Sequence, residues 1–243
     1  MGKHIAIVDP FPRTLELIFS KDKFKILKSK YELLYAPKNK KNFFYEKNIH
    51  KASFIIGQPA LPKNLLIKAK KLKAIINVES NFINNMDYQY CFKKGIHVIA
   101  TSPVFSKPVA EIALGMTLSL LRNIHTAHLD FIKGKEKYGL ESNLKASLLS
   151  EKKIGLLGFG DLAKSLYPLL LPFTKDINVY DPWIPKIKIK KLGFKNISLN
   201  KMFENCEIIY VLATVTTKNK HFIDKKLLKK MKANSCFILM SRA

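Results

Sequence analysis

An α/β fold built on parallel sheet is what this sequence predicts, on three observations. Short apolar runs alternate with Lys-rich amphipathic stretches, the rhythm of strand and helix. The runs are nearly continuous in Val, Ile and Leu, as strands covered on both faces are. Each run is closed by Pro, Gly or a polar residue, so each is short enough to be one strand.

The elements follow in order. "HIAIVDP" reads as a strand ending in turn residues, and "YELLYAP", "ASFIIGQP", "LKAIINVE" and "GIHVIATSP" repeat the pattern. "LPKNLLIKAKKL" is one of the amphipathic helices between them. From Pro108 to about Ile132 apolar residues recur at three- and four-residue steps, which predicts one long helix. Pro108 suits its first turn and Glu111 its positive end. This change of rhythm sets a boundary near residue 106, with domains 1–106 and 107–243. After the looser "KGKEKYGLESNLKASLLSE" a second strand–helix series begins at "KKIGLLGFG". The closing "SCFILMSRA" reads as a buried strand with an Arg at its exit.

The chain has 243 residues, 47% of them hydrophobic, enough for one or two domains with real cores. Its net charge of +25 raises nucleic acid or an anionic membrane as partners. The charge is nearly all Lys and is spread along the chain, with short clusters such as "PKNKKN" and "KAKKLK". Arg13, Arg122 and Arg242 are the only arginines, and the interleaved aromatics and glycines of a nucleic-acid module are missing. A solvated surface with no specific nucleic-acid partner is expected. Cys91, Cys206 and Cys236 have no metal spacing and cannot all pair, so free thiols in a reducing compartment are expected. No apolar run reaches about 18 residues, and "MGKHIAIVDPF" lacks a signal-peptide core. A cytoplasmic protein without membrane segments is the expectation. His125 and His128 lie three apart without a further ligand set, so no metal is assigned.

The most informative segment is "KKIGLLGFGDLAKSLYPLLLPF". Ile154 to Leu157 form a strand, Gly158 to Ala163 a G-x-G-x-x-A turn, and Asp161 to about Leu171 a helix. Gly158 permits the tight turn, Gly160 lets a pyrophosphate approach the backbone, and Ala163 keeps helix and strand close. The phosphate then meets free N–H groups at the helix N-terminus. About eighteen residues after Ala163, Asp181 ends the strand "INVYDP". An acid there hydrogen-bonds an adenosine ribose and repels a 2′-phosphate, so the cofactor expected is NAD.

These motifs resemble those of the D-isomer-specific 2-hydroxyacid dehydrogenases. "LKAIINVESNFINNMDYQYCFKKGIHVIATSPVFSKPVAEIALGMTLSLLRNI" is similar to the family's substrate loop, its "GI-V-N-P" strand and its "VAE…L…LLR" helix. "FIKGKEKYG" resembles its connecting arm, and "KKIGLLGFGDLAKSL" with "VYDPW" its NAD fingerprint and ribose acid. "CEIIYVLATVTTKNKHFIDKKLLKKMKANSCFILMSRA" is similar to the segment ending at the family's catalytic Arg. The resemblance implies a flavodoxin-like substrate domain and a doubly wound Rossmann NAD-binding domain, with the active site in the cleft between them. It implies hydride transfer between NADH and a 2-keto acid, on the CH–OH group of a D-2-hydroxy acid. Asp161 and Leu162 would contribute pyrophosphate contacts beside Gly158 and Gly160, and Asp181 the ribose contact. Thr214, Val215, Thr216 and Thr217 would line the adenosine and nicotinamide edge, Met240 would contact the cofactor through its backbone, and Val109 would sit near the nicotinamide. Ser80, Asn81 and Phe82 would offer backbone N–H groups to the substrate carboxylate. Arg242 falls on the catalytic Arg, whose planar fork can bridge a carboxylate and the adjacent carbonyl.

Several positions depart from the family. Ser80 and Phe82 stand in a loop that is usually Gly-rich, Thr214 replaces a Pro, and Leu239 and Ala243 replace the Asn and Gly around the Arg. In the family the chain runs on past this Arg to complete the sheet, return to the first domain and supply a Glu and the proton-donating His. The sequence is therefore expected to be the N-terminal part of a longer protein, its NAD domain incomplete and inactive as it stands. None of its six His is assigned as acid or base. A homodimer through the NAD domains is implied, with Pro108 to Gly139 as its surface. The alternative is an NAD-sensing or partner-binding module of the same fold without catalysis.

Overall fold

In the computed structural model, which describes residues 3–79, 82–214, 219 and 221–241, the chain divides into two units, Met1–Ser102 and Pro103–Ala243. The first contains β1 (His4–Asp9), α1 (Leu15–Ile18), α2 (Lys21–Lys30), β2 (Tyr31–Tyr35), α3 (Lys41–Asn48), β3 (Ala52–Gly57), α4 (Lys63–Lys68), β4 (Ala74–Ile76), α5 (Tyr88–Lys93) and β5 (His97–Ile99). All its strand pairs are parallel, in the order β2-β1-β3-β4-β5. That is the flavodoxin-like order.

Successive side chains of a strand point to opposite faces. Ile7 of β1 accordingly packs with Tyr45, Ile49, Ile55 and Ile75. Its neighbour Val8 packs on the other face with Ile56 and Val78, against Leu15, Ile18 and Leu27. Both residues are fully buried, which is why "HIAIVDP" does not alternate. Where β1 ends, the buried Asp9 carboxylate accepts from Lys41 Nζ at 2.6 Å and Tyr45 OH at 3.3 Å. Burial first, and then the Asp9 charge, push the Tyr45 phenol far above its ordinary range.

The second unit contains α6 (Ser102–Leu121), α7 (Ile124–Ile132), α8 (Gly139–Asn143), β6 (Ile154–Leu157), α9 (Asp161–Leu170), β7 (Ile177–Tyr180), α10 (Lys186–Lys191), β8 (Lys195–Asn196), α11 (Leu199–Asn205), β9 (Ile208–Val211), α12 (Lys225–Leu228) and β10 (Cys236–Leu239). Its sheet is parallel in the order β10-β9-β6-β7-β8. This is the order of the first five strands of the doubly wound nucleotide-binding sheet. Ile154 and Leu156 face a core shared with α6 and α9, through Ala110, Ala113, Leu166 and Leu170. Leu157 faces the opposite core of Met202, Phe203, Ile209 and Leu227, from β9, α11 and α12.

The long helix differs from the sequence expectation. It starts at Ser102, not Pro108, and Pro108 lies in its interior. Pro103 occupies the first turn instead, where a missing N–H costs no intrahelical bond. The periodic stretch is also two helices, because Asn123 adopts the left-handed conformation (φ 54°) between α6 and α7. Asn tolerates that region through its short polar side chain. Among the described residues α6, at 20 residues and mean hydropathy 1.4, is the one helix long and apolar enough to cross a membrane. The sequence reading found no apolar run of that length, since Lys107 and Glu111 interrupt it. Here its Ala110, Ala113 and Leu121 are buried in the core of the second unit. Cys91, Cys206 and Cys236 are all unpaired. Burial pushes the Cys206 thiol up to about 11.

One buried polar contact ties α6 to the sheet. Thr117 Oγ1 donates to Ala113 O at 2.8 Å and lies 2.6 Å from Tyr210 OH. A hydroxyl has one proton, so Tyr210 is the donor of the second bond. Burial pushes its phenol up to about 12. The fold favours the neutral phenol, so this stability is complete below pH ~10, where the unfolded phenol also stays protonated, and is lost as pH rises through about 12. Tyr210→Phe should cost about 1 kcal/mol in urea unfolding at neutral pH. The same variant should escape roughly 2–3 kcal/mol of the alkaline loss that the unaltered protein shows. Identical pH profiles for the two proteins would contradict this.

Candidate functional site

The strand order of the second unit reverses at β6, which pairs with β7 on one side and β9 on the other. Ligands of open α/β sheets bind outside the carboxyl ends of the strands at such a point. The backbone there is shaped by glycine. Gly158 has φ +92°, and a Cβ on it would lie 2.8 Å from both N and Cα of Ala213. The turn after β6 thus passes against the segment after β9 at a distance only glycine allows. Gly158 N also donates to Tyr180 O at 2.8 Å, continuing the pairing with β7.

Phe159 then turns inward. It is buried and packs its ring on Tyr167 and Phe194, at centroid distances of 6.0 and 5.4 Å. With Phe159 held inside, Gly160 caps α9 in extended backbone, and a Cβ on it would meet no protein atom within 4 Å. The first turn of α9, which carries Asp161, Leu162 and the buried Ala163, presents helix-terminal amides there. Helix termini of this kind attract anions.

Asp181 follows β7 and is the main electrostatic feature. Its Oδ2 accepts from Phe159 N at 2.8 Å, and its Oδ1 from Trp183 N at 2.8 Å and Ile184 N at 3.1 Å. A carboxylate offers about four acceptor positions, so three amides leave room for a further donor.

These residues enclose a cavity of about 360 Å³, walled by Gly158, Gly160, Asp181, Trp183, Ala213 and Thr214 among others. A second hollow of about 530 Å³ shares the wall from Tyr180 to Trp183 and extends past Ile197. Room for an anion over the helix end, an acid with spare acceptor capacity and an apolar wall match the donor and acceptor pattern of a dinucleotide. The residues present therefore fit NAD.

Of the expected site residues, Gly158, Gly160, Asp181 and Thr214 meet around this cavity. Asp161 and Leu162 stand in the first turn of α9. Val109 lies within α6. Met240 packs against the core on the α6 side and donates its N–H to Val211 O at 3.1 Å. Phe82, exposed in the first unit, is edge-on to Tyr88 at 5.9 Å. Ser80, Asn81, Val215, Thr216, Thr217 and Arg242 lie outside the described residues. Sequence reasoning gave no role to Trp183, Ala213 or Phe222, which also line the cavity. Trp183 carried a signal: it is the chain's only Trp, directly after "DP", and it is 70% exposed.

Known proteins resemble this chain in sequence and in fold. Residues 114–243 match the family model of the D-isomer specific 2-hydroxyacid dehydrogenase NAD binding domain, more than half of the chain. The chain belongs to this family. The hydroxypyruvate reductase of Thermotoga maritima is 30% identical over 167 residues, 69% of this chain and 53% of that protein. The chain thus spans about half the length of that relative. A phosphoglycerate oxidoreductase from Rhizobium etli is 40% identical, with a TM-score of 0.79 over 99% of this chain and 74% of that one. D-lactate dehydrogenase from Aquifex aeolicus, solved with NAD and lactic acid, shares the fold at 22% identity, with a TM-score of 0.73 over 99% of this chain and 69% of that one.

The glycine geometry has a direct consequence for stability. Gly158→Ala should lower it by about 2–4 kcal/mol, from a strained φ and a forced contact. Gly160→Ala should change it by less than about 1 kcal/mol. Thermal unfolding of both variants against the parent checks the contrast.

Proposed function

We propose that this protein is an NAD-dependent oxidoreductase that transfers hydride between NADH and a 2-keto acid, giving a D-2-hydroxy acid. The observation that carries this reading is the cavity where Gly160, the end of α9 and Asp181 face one space. The unit from Pro103 onward is the NAD-binding domain and the first unit the substrate domain. Asp161 and Leu162 contribute pyrophosphate contacts, and Asp181 takes the ribose hydroxyls. Thr214, Val215, Thr216 and Thr217 follow the adenosine and nicotinamide edge, Met240 contacts the cofactor by its backbone, and Val109 stands near the nicotinamide. Bound NADH supplies the hydride.

For the substrate, Ser80, Asn81 and Phe82 hold the carboxylate by backbone amides. Arg242 bridges carboxylate and carbonyl and polarises the latter. The relative named for phosphoglycerate, at 40% identity, makes phosphorylated hydroxy acids the first substrates to try, and hydroxypyruvate the second. Ile124, Leu129, Phe131, Ile132 and Tyr138 are exposed apolar residues on and after α7. They supply the surface for a homodimer, as large apolar patches do. The three unpaired cysteines suit the cytoplasm.

The test is cofactor binding followed by turnover. NADH should bind at least tenfold more tightly than NADPH, because the Asp181 carboxylate repels a 2′-phosphate. Gly160→Ala should weaken NADH at least tenfold while leaving the melting temperature in place. Equal affinity in parent and variant would sink the cradle reading. NADH oxidation at 340 nm with 2-keto acids tests the chemistry: no His of these 243 residues is assigned as proton donor, so turnover is expected only of a chain that supplies one, and there Arg242→Lys should cut kcat/KM about a hundredfold or more. Binding of NADH without turnover of any 2-keto acid by a chain that does supply the proton donor is the result a non-catalytic NAD-sensing module would give.

A further inference from the structure

The first unit has a cavity of its own, of about 520 Å³, at the carboxyl ends of β1 and β2. Its size falls in the range of small-molecule sites. We propose that it binds a small organic anion, an apolar body carrying one terminal phosphate or carboxylate.

The walls argue for the apolar body. Phe11 is 66% exposed and Tyr35 47% exposed, yet both line the cavity beside Pro10 and Val8. Two large rings left to solvent around a concavity form an apolar seat of the kind that marks binding sites. The charges argue for the anion. Arg13, Lys38 and Lys41 line the cavity, and the only acid among its lining residues is Asp9. Asp9 is 2% exposed, with one oxygen on Lys41 and the other on Tyr45. Its charge is balanced by Lys41 and that of Arg13 by Glu79, so Lys38 supplies the excess positive charge at the mouth.

Lys41 is held in place. Its ammonium sits 2.6 Å from Asp9 Oδ1 and 5.1 Å from the centroid of Phe11. An ammonium has three N–H donors, so one bond to Asp9 leaves two for a ligand. Arg13 is fixed at the rim by Glu79, with Nε 2.7 Å from Oε1. Together these place fixed N–H donors and the Lys38 charge beside an aromatic wall, which selects an amphipathic anion over a bare ion. This cavity shares no lining residue with the one in the second unit, and the inference stands whether or not that one takes NAD.

Isothermal titration of the full chain with phenyl phosphate tests it, with inorganic phosphate and phenol as controls. Phenyl phosphate should bind saturably, at least tenfold more tightly than either control, and saturating NADH should not displace it. Phe11→Ala, at an exposed position, should weaken it about tenfold. Lys41→Met alone strands the buried Asp9 charge, so it is paired with Asp9→Asn. That double variant should keep its unfolding transition and lose at least tenfold in affinity. Three results would each overturn the proposal: inorganic phosphate binding as tightly as phenyl phosphate, unchanged affinity in Phe11→Ala, or displacement by NADH. None of them bears on NADH affinity in Gly160→Ala.

Discussion

The carboxylate of Asp181 accepts three backbone amides, from Phe159, Trp183 and Ile184, and so ties the turn after β6 to the chain leaving β7. Hydrogen bonds to an ionised acceptor are short and about twice as strong as neutral ones. With the Phe159 amide held, its ring enters the core against Tyr167 and Phe194. Gly160 and the first turn of α9 are then left facing outward. One side chain thus shapes the site and forms part of its wall.

The two units use charge in opposite ways at the carboxyl ends of their strands. In the second, the acid faces the cavity and the helix end supplies the positive partial charge. In the first, Asp9 is sequestered by Lys41 and Tyr45, and the cations face the cavity. Burying an ion pair is costly unless its geometry is good. Here the pair carries a second hydrogen bond from Tyr45 and lies beside the Phe11 ring. The two hollows therefore favour different chemistry, although both sit at the end of a parallel sheet.

Much of this was legible in the residue order. Fully buried strands such as Ile154–Leu157 are apolar without interruption because both of their faces pack, against α6 and α9 on one side and α11 and α12 on the other. The G-x-G-x-x-A turn is written in residue types because each position has a local requirement: positive φ at Gly158, space at Gly160, close packing at Ala163. Less legible was the helix ahead of it. Two prolines compete for the first turn of α6, and periodicity alone does not say which one the start uses. Nor does it register that Asn123 turns left-handed, since one such residue leaves the three- and four-residue spacing almost intact. β8, at two residues, is too short to give any pattern.

By itself the sequence determined the α/β class, the parallel strands, the glycine turn and the acid about eighteen residues on. These depend on backbone conformation and on a periodicity of two or 3.6 residues, which neighbours along the chain carry. Only the tertiary structure decided that Ala213 presses on Gly158, that three amides converge on Asp181, and that Trp183 walls the cavity. It also decided that Asp9, Lys41 and Tyr45 meet. Apart from the Trp183 and Ile184 amides, those contacts join residues about twenty to fifty-five positions apart, and parallel pairing, which needs a crossover between strands, is what brings them together.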